Sequence, residues 1–243
     1  MYEYQGLSDA FFLMLYGAAA WFALLACVYL LWRRGNAVAG DEVESSRELR
    51  QWTAAFMLAV FMSHVWWAVL GSVALTGDQL VRNIVAITLD RLTFVPLMMC
   101  VLLRMLQDRR RPVWPVWVAV APLGVLAVVC IALRSDVFEL AVQVYMAVVA
   151  VVFLVYYVRA VRQYGRWLLD NYADLERKEV WQSLLLLAFI LFVHVAYSTT
   201  CGSLVTEYLA QVNTFVIIAF LLWRVETLQE LKEEWNIEEN EII

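Results

Sequence analysis

FFLMLYGAAAWFALLACVYLLW, residues Phe11–Trp32, is a continuous apolar run without a single charged side chain. A membrane-spanning helix needs about 20 apolar residues, and this run supplies them. The backbone finds no water to pair with inside lipid, so a span of this kind must be helical. The run lacks the basic start and the small-residue cleavage site of a signal peptide. We therefore predict a first transmembrane helix.

Apolar segments of the same kind recur along the whole chain. The sequence is 63% hydrophobic and 17% charged, whereas a soluble domain is about 45–50% apolar and about 25% charged. The predicted helices cover about residues 11–32, 53–75, 84–103, 113–133, 140–158, 180–201 and 208–223. The predicted fold is an all-α integral membrane protein with a seven-transmembrane-helix bundle over residues 1–223.

The basic residues predict which side of the membrane each loop faces. All but three of the 18 Lys and Arg follow odd-numbered predicted helices, the exceptions being Arg82, Arg91 and Arg134. Because loops rich in Lys and Arg stay in the cytoplasm, we expect an N-terminus outside and a C-terminus in the cytoplasm. We expect the host membrane to be the bacterial cytoplasmic (inner) membrane.

Helical signals continue beyond the fifth predicted span. Arg159, Arg162 and Arg166 recur at intervals of three and four and form a basic face that suits anionic headgroups. A turn is expected at Asp170 and Asn171, where Asn171 can cap a new helix. This region is a predicted signalling elbow. Its residues are Arg166, Asp170, Asn171, Asp174, Glu179 and Trp181.

The last segment, residues 224–243, is predicted to be an acidic cytoplasmic helical tail. Leu228, Leu231 and Trp235 follow helical spacing within it. An apolar stripe of this kind can pair with a second copy of the chain, so we expect a homodimer.

Polar side chains within the predicted spans are concentrated at mid-membrane and outer depth. Ionisable groups are costly in lipid and are functional hypotheses by default. Their distribution predicts a polar cavity that opens to the outside and admits a small extracytoplasmic ligand. A packing network and a transport pathway remain alternative interpretations. The candidate ligand-binding residues are His64, Asp90, Arg91, Gln143, His194, Tyr197, Glu207, Gln211 and Asn213.

Asp90 and Arg91 are neighbours on one predicted helix and therefore point about 100° apart. At least one of them needs a partner on another helix. Glu207 is a candidate partner for Arg91, and His64 or His194 is a candidate partner for Asp90.

Several functional classes are disfavoured. A retinal protein needs a lysine inside its last helix, but the two lysines, Lys178 and Lys232, are both predicted to be cytoplasmic. No P-loop, H-E-x-x-H or G-x-S-x-G motif is present. We predict a protein that is not an enzyme and has no cofactor or metal site. A bis-histidine haem held by His64 and His194 is kept as a weaker alternative.

Two stretches, YGRWLLDNYADLERKEVWQS at Tyr164–Ser183 and LLWRVETLQEL at Leu221–Leu231, carry a family resemblance. They resemble the membrane region of bacterial transmembrane regulators with a cytoplasmic AraC-type helix-turn-helix domain, and of related membrane sensor kinases. The resemblance implies a sensor and anchoring module that signals to an effector domain. No helix-turn-helix or kinase sequence occurs up to Ile243, so we expect an effector that is either fused beyond it or separate.

The predicted function is therefore signal input by a membrane sensor that couples an outward-facing polar cavity to a cytoplasmic tail. Direct contact with nucleic acid is not expected, because the tail is acidic and no exposed basic stripe suggests it. A small transporter or channel subunit is the second hypothesis, and a haem-binding redox protein is the third.

Overall fold

The computed structural model describes residues 7–33, 45–72, 79–133, 139–172, 179–186 and 204–231. Regular structure in these ranges is entirely helical. The long helices are α1 (Leu7–Trp32), α2 (Arg47–Ser72), α3 (Gln79–Arg104), α4 (Trp114–Leu133), α5 (Glu139–Asn171) and α7 (Leu204–Thr227). The helical residues 182–186 are called α6.

The six long helices in the described ranges are each long and apolar enough to cross a membrane. The prediction of a multi-pass, all-helical membrane protein is therefore confirmed. Residues 182–186 belong to the predicted sixth span, and the rest of that span lies outside the described residues. The remaining predicted spans each fall on one long helix.

Some helices extend beyond the predicted spans. Helix α2 begins at Arg47 instead of Thr53, and Arg50 N donates to Ser46 O at its first turn. Ser46 occupies the N-cap position, where serine is favoured, and Glu48 adds negative charge to the first turn. Hydropathy marks only the part of a helix that lies in lipid, so it misses a capped turn outside it.

Helix α7 ends earlier than the predicted helical tail. It continues past Trp223 to Thr227, and residues 228–231 are not helical. The Leu231 N–H donates to Gln107 Oε1 at 2.8 Å. A side-chain partner thus replaces the carbonyl that a continuing helix would provide. Residues 232–243 of the predicted tail lie outside the described residues.

Successive helices pack side by side along α1 to α5, and α7 closes against α1 and α2. Cross-helix contacts at both ends show that α2 runs antiparallel to α1 and α7. Tyr16 of α1 and Gln211 of α7 meet His64 of α2 near one end. Arg33 and Glu226 meet Arg50 of α2 near the other. We call the second end, which also holds Arg104, Arg111 and Arg224, the basic end.

Apolar side chains cover the outside of the bundle as well as its interior. Trp21, Val125 and Val152 are more than half exposed, and Trp32 is 85% exposed. Exposure of such an apolar surface is unfavourable in water but not in lipid. The largest buried side chains cluster toward the basic end and include Phe56, Met57, Leu102, Met105, Tyr157, Tyr164, Ile218 and Leu221. The basic end is therefore a well-packed part of the fold.

Candidate functional site

His64 lies at the centre of a polar contact among α1, α2 and α7. Its Nδ1 lies 2.8 Å from the Val60 carbonyl oxygen, and its Nε2 lies 3.0 Å from Gln211 Oε1. The Tyr16 hydroxyl donates to the His64 carbonyl oxygen at 2.6 Å, and the Tyr16 and His64 rings are 4.6 Å apart. His64 and Gln211 are both buried. We call Tyr16, His64 and Gln211 the histidine cluster.

Two proton arrangements fit the geometry of this cluster. A neutral imidazole carries a single N–H, whereas a protonated one carries two. Protonated His64 can donate to both Val60 O and Gln211 Oε1. Neutral His64 keeps both contacts only if the Gln211 amide turns so that its nitrogen donates to the ring. A proton at His64 therefore changes the direction of its bond to α7.

Asp90 has different partners from those expected. Trp66 Nε1 donates to one carboxyl oxygen at 3.0 Å, and Trp67 Nε1 donates to the other at 2.7 Å. The proposed hydrogen-bonded pairing of Asp90 with His64 is not formed, since both ring nitrogens of His64 contact other groups. The two indole N–H groups thus each donate to a different oxygen of the carboxyl. Sequence reasoning missed Trp66 and Trp67 because only ionisable and amide side chains and tyrosine were considered as polar groups within the spans.

The other candidate residues lie on α3, α5 and α7 or outside the described residues. Asn213 lies two residues after Gln211 on α7 and therefore points to a different side of that helix. Its Oδ1 is buried without a hydrogen-bond partner among the described residues. Arg91 and Glu207 are half-buried, and their mutual pairing stays a prediction. Gln143 is exposed on α5. His194 and Tyr197 lie outside the described residues.

A second polar network lies at the basic end and was not anticipated. Arg50 Nη1 donates to Glu226 Oε1 at 2.9 Å and to Ser45 Oγ at 3.1 Å, and Arg50 Nη2 donates to Arg33 O at 2.8 Å. The side chains of Arg50 and Glu226 are 6% and 4% exposed. Arg50 was interpreted as a loop cation, since positive charge at a span boundary usually stays in water. The early start of α2 places it inside the bundle instead.

Two further buried arginines belong to this end of the bundle. Arg111 pairs with both carboxyl oxygens of Asp108, at 2.5 and 2.9 Å. Arg224 of α7 is 2% exposed, and its Nε and Nη2 have no hydrogen-bond partner among the described residues. Four charged residues at the basic end, Arg50, Arg111, Arg224 and Glu226, are thus buried although they lie just outside the predicted spans.

The residues that follow α7 are attached to the loop between α3 and α4. Gln107 Nε2 donates to the Gln229 carbonyl at 3.0 Å, and Gln107 Oε1 accepts from the Leu231 N–H at 2.8 Å. Leu228 is buried in the main hydrophobic core of the bundle. The Gln107 amide thus makes two hydrogen bonds to the backbone of residues 229–231, one as donor and one as acceptor. We call this contact the glutamine clip.

The predicted elbow residues lie mostly on the surface. Arg166 and Asp170 are exposed, and Asp174 lies outside the described residues. Asn171 is the last residue of α5, and its Nδ2 donates back to the Trp167 carbonyl at 2.7 Å. The Trp181 indole donates to Glu179 Oε2 at 3.1 Å.

A buried contact joins the elbow to the bundle. The hydroxyls of Tyr157 and Ser183 are 2.7 Å apart, and the Ser183 hydroxyl donates to Val180 O. This contact holds the start of α6 against α5. Movement of α5 at this depth would therefore reach the elbow.

The described residues contain no group of three or more His, Cys, Asp or Glu that could hold a metal ion. A haem iron would need a ring nitrogen of His64, and both nitrogens already contact oxygen atoms. Comparison of the chain with known protein families, curated proteins and solved structures finds no match.

Proposed function

We propose that the chain is a signal-input module of a bacterial transmembrane regulator. In this proposal it crosses the cytoplasmic membrane seven times, with its N-terminus outside and its basic end in the cytoplasm. An event at the histidine cluster, either proton uptake or binding of a small extracytoplasmic ligand, changes the contacts of the basic end and of the residues after α7. A cytoplasmic effector, fused or separate, reads that change.

One observation carries the proposal: α2 and α7 are joined by polar contacts near both of their ends. His64 bonds to Gln211, and Arg50 bonds to Glu226. The two contacts are separated by roughly 20 Å along each helix, at about 1.5 Å per residue. Because both contacts involve the same two helices, rotation or sliding of α7 against α2 alters them together.

The chemistry of the cluster supplies an input. Protonation of His64 reverses the direction of its hydrogen bond to Gln211, which requires the Gln211 amide to turn. A ligand that competes for Gln211 would act in the same place. A signal moves such an equilibrium only by its different affinity for the two states. The hydrogen bonds of the cluster differ between those states, so a proton or a ligand can bind one state more tightly than the other.

The chemistry of the basic end supplies an output. Glu226 is one residue from the end of α7, and the glutamine clip holds the residues that follow. In this proposal, movement of α7 against α2 lengthens or breaks the Arg50–Glu226 bond or the hydrogen bonds of the glutamine clip. The segment after Thr227 is then released to an effector or to a second copy of the chain.

Hydrogen exchange measured by mass spectrometry tests the link in purified protein in nanodiscs. Gln211→Leu removes the contact to His64 without adding charge. We expect exchange of the amides of residues 228–231 to rise by about threefold or more, since about 1 kcal/mol per hydrogen bond is at stake. Val212→Ala, at an exposed position on the same helix, is the matched control and should leave exchange unchanged.

A purely structural role for His64 predicts a different pattern. In that case Gln211→Leu would raise exchange near residues 60–68 and 207–215 and leave residues 228–231 as they were. That outcome would refute the proposed coupling.

Coupling must also be reciprocal. Glu226→Gln should change the ring resonances of His64 in a spectrum of histidine-labelled protein, where a His194→Gln background leaves a single histidine. Glu230→Gln, at an exposed position beyond α7, is its control. Unchanged His64 resonances in the Glu226→Gln protein would argue against communication between the two ends.

The membrane orientation has its own test. Reporter tags at the two termini should appear on opposite sides of the membrane, the N-terminal tag outside and the C-terminal tag inside. Tags on the same side would refute the odd number of spans, and a C-terminal tag found outside would refute the cytoplasmic position of the basic end.

A further inference from the structure

Helix α5 is longer than a bilayer requires. Its 33 residues extend for about 50 Å, whereas the hydrocarbon core is about 30 Å thick. Residues 140–158 contain no charged side chain, and the first charge after them is Arg159. The charged part of α5 therefore begins about where the helix leaves the hydrocarbon core of the membrane. Residues 159–171 lie at headgroup depth and beyond.

This extension is fixed to the rest of the protein. Its buried face continues the packed stripe of the membrane part. The Tyr164 and Trp167 rings stack at 6.0 Å. The buried residues are Tyr157, Ala160, Val161, Tyr164 and Leu168. Because one face of residues 159–171 packs against the bundle, the opposite face is exposed and keeps a fixed orientation relative to the bundle.

The opposite face is basic. Arg159, Arg162 and Arg166 are all exposed there. Arg109 of the loop between α3 and α4 donates to Gln163 Oε1 at 3.1 Å, which adds a fourth cation beside them. Asp170 is the acidic side chain nearest to them on this helix, so the face carries a net positive charge.

An open groove lies within this face. Arg162, Gly165, Arg166 and Leu169 of α5 line it, and it is shallow and largely open to the surroundings. A Cβ atom placed on Gly165 would meet nothing within 4 Å, so the groove floor has free space. Leu169 is 67% exposed on the same helix as Arg162 and Arg166.

We infer that this groove binds the headgroup phosphate of an anionic phospholipid, with Arg162 and Arg166 donating to its oxygens. Arginine matches the geometry of phosphate oxygens. A lipid is favoured over free phosphate, because the same helix presents a lipid-facing stripe that leads to the groove. That stripe consists of the exposed residues Val148, Val151, Val152 and Val155. The inference stands independently of the proposed sensor function.

Native mass spectrometry of the full chain in mixed micelles tests the site. The micelles contain equal amounts of phosphatidylglycerol and phosphatidylcholine, and the ratio of bound anionic to zwitterionic lipid is measured. Arg162→Ala with Arg166→Ala should lower that ratio on the order of 30-fold, because each basic residue near an anionic surface contributes to binding. Arg33→Ala with Arg47→Ala removes two exposed charges at the end of α1 and the start of α2 and should change the ratio little.

Two further variants separate a groove from general electrostatic attraction. Gly165→Trp keeps every charge but fills the free space, and it should lower the ratio as well. Arg162→Lys with Arg166→Lys keeps the charge but loses the paired donors, and it should give an intermediate ratio. A ratio unchanged by Gly165→Trp, or an equal loss in the Arg33 and Arg47 control, would overturn the site.

A competition arm distinguishes the sources of phosphate. Millimolar inorganic phosphate should not displace phosphatidylglycerol from the unaltered protein. Displacement by inorganic phosphate would show that the groove takes a free anion, and the assignment to a lipid would be wrong.

Discussion

Arg50 and Glu226 form a buried ion pair of 2.9 Å although they are 176 positions apart in the chain. Arg50 lies in the first turn of α2, and Glu226 lies in the last turn of α7. The pair therefore joins the start of one helix to the point where the other leaves the bundle. A buried pair of this kind fixes register more than it adds stability, because desolvation offsets much of its attraction.

Removal of one partner should be costly. We expect Arg50→Met to lower the free energy of unfolding by about 3–5 kcal/mol, since it leaves the Glu226 carboxylate buried without its cation. The measurement is thermal or chemical unfolding of the protein in detergent.

The Arg104–Glu48 pair offers a matched control at the same end of the bundle. Its N···O distance is 3.2 Å, and the Glu48 side chain is 44% exposed. Glu48→Ala should cost about 1 kcal/mol or less, as exposed pairs do. Equal losses for the two variants would contradict the description of Arg50–Glu226 as a buried pair.

The histidine cluster should show direct energetic coupling. A double-mutant cycle with His64→Ala and Gln211→Ala is expected to give an interaction energy of about 0.5–3 kcal/mol, the range for residues in contact. Unfolding midpoints of the two single variants and the double variant provide it. Additive effects would mean that the 3.0 Å contact contributes nothing measurable.

Asp90 should depend on its two indole donors. Asp90→Leu removes both acceptors and is expected to cost about 2–4 kcal/mol, because each lost bond leaves a half-buried N–H unpaired. Asp90→Asn retains one acceptor and should cost about half as much. Unfolding of both variants is compared with Asn83→Ala, an exposed position on α3. A loss in the Asn83 variant similar to that of Asp90→Leu would refute a specific role for the carboxyl.

The glutamine clip should control access to the residues after α7. Gln107→Ala removes two hydrogen bonds of about 1 kcal/mol each, so exchange of the Leu231 amide should rise by roughly 5–30-fold. Hydrogen exchange by mass spectrometry measures this. Arg110→Ala, at an exposed position in the same loop, should have no effect. Unchanged exchange in the Gln107 variant would show that Leu228 alone holds the segment.

The sequence predicted helix positions well because hydropathy is a local property. The run Phe11–Trp32 falls inside Leu7–Trp32, and the extension of α5 past Val158 to Asn171 follows from its three- and four-residue spacing. Boundaries outside lipid were less accurate. Ser46 caps α2 seven residues before Thr53, where the predicted span begins, and Gln107 binds the chain where α7 ends. These ends depend on polar partners, which hydropathy does not register.

The candidate site was predicted only in part. His64, Asp90 and Gln211 were selected because polar groups in lipid need partners, and each has them in the structure. The identity of those partners was not predictable, since Asp90 meets Trp66 and Trp67 instead of a histidine. The buried Arg50–Glu226 pair was missed because both residues resemble ordinary boundary charges.

The sequence alone determined that lipid surrounds this chain and that its spans are helical. Both conclusions follow from local composition, because every backbone bond of a span closes within the span. The tertiary structure decided which side chains meet across helices. His64 and Gln211 are 147 positions apart, and their contact depends on how α2 and α7 are rotated and aligned against each other. That arrangement is set by packing of the whole bundle, which no single segment encodes.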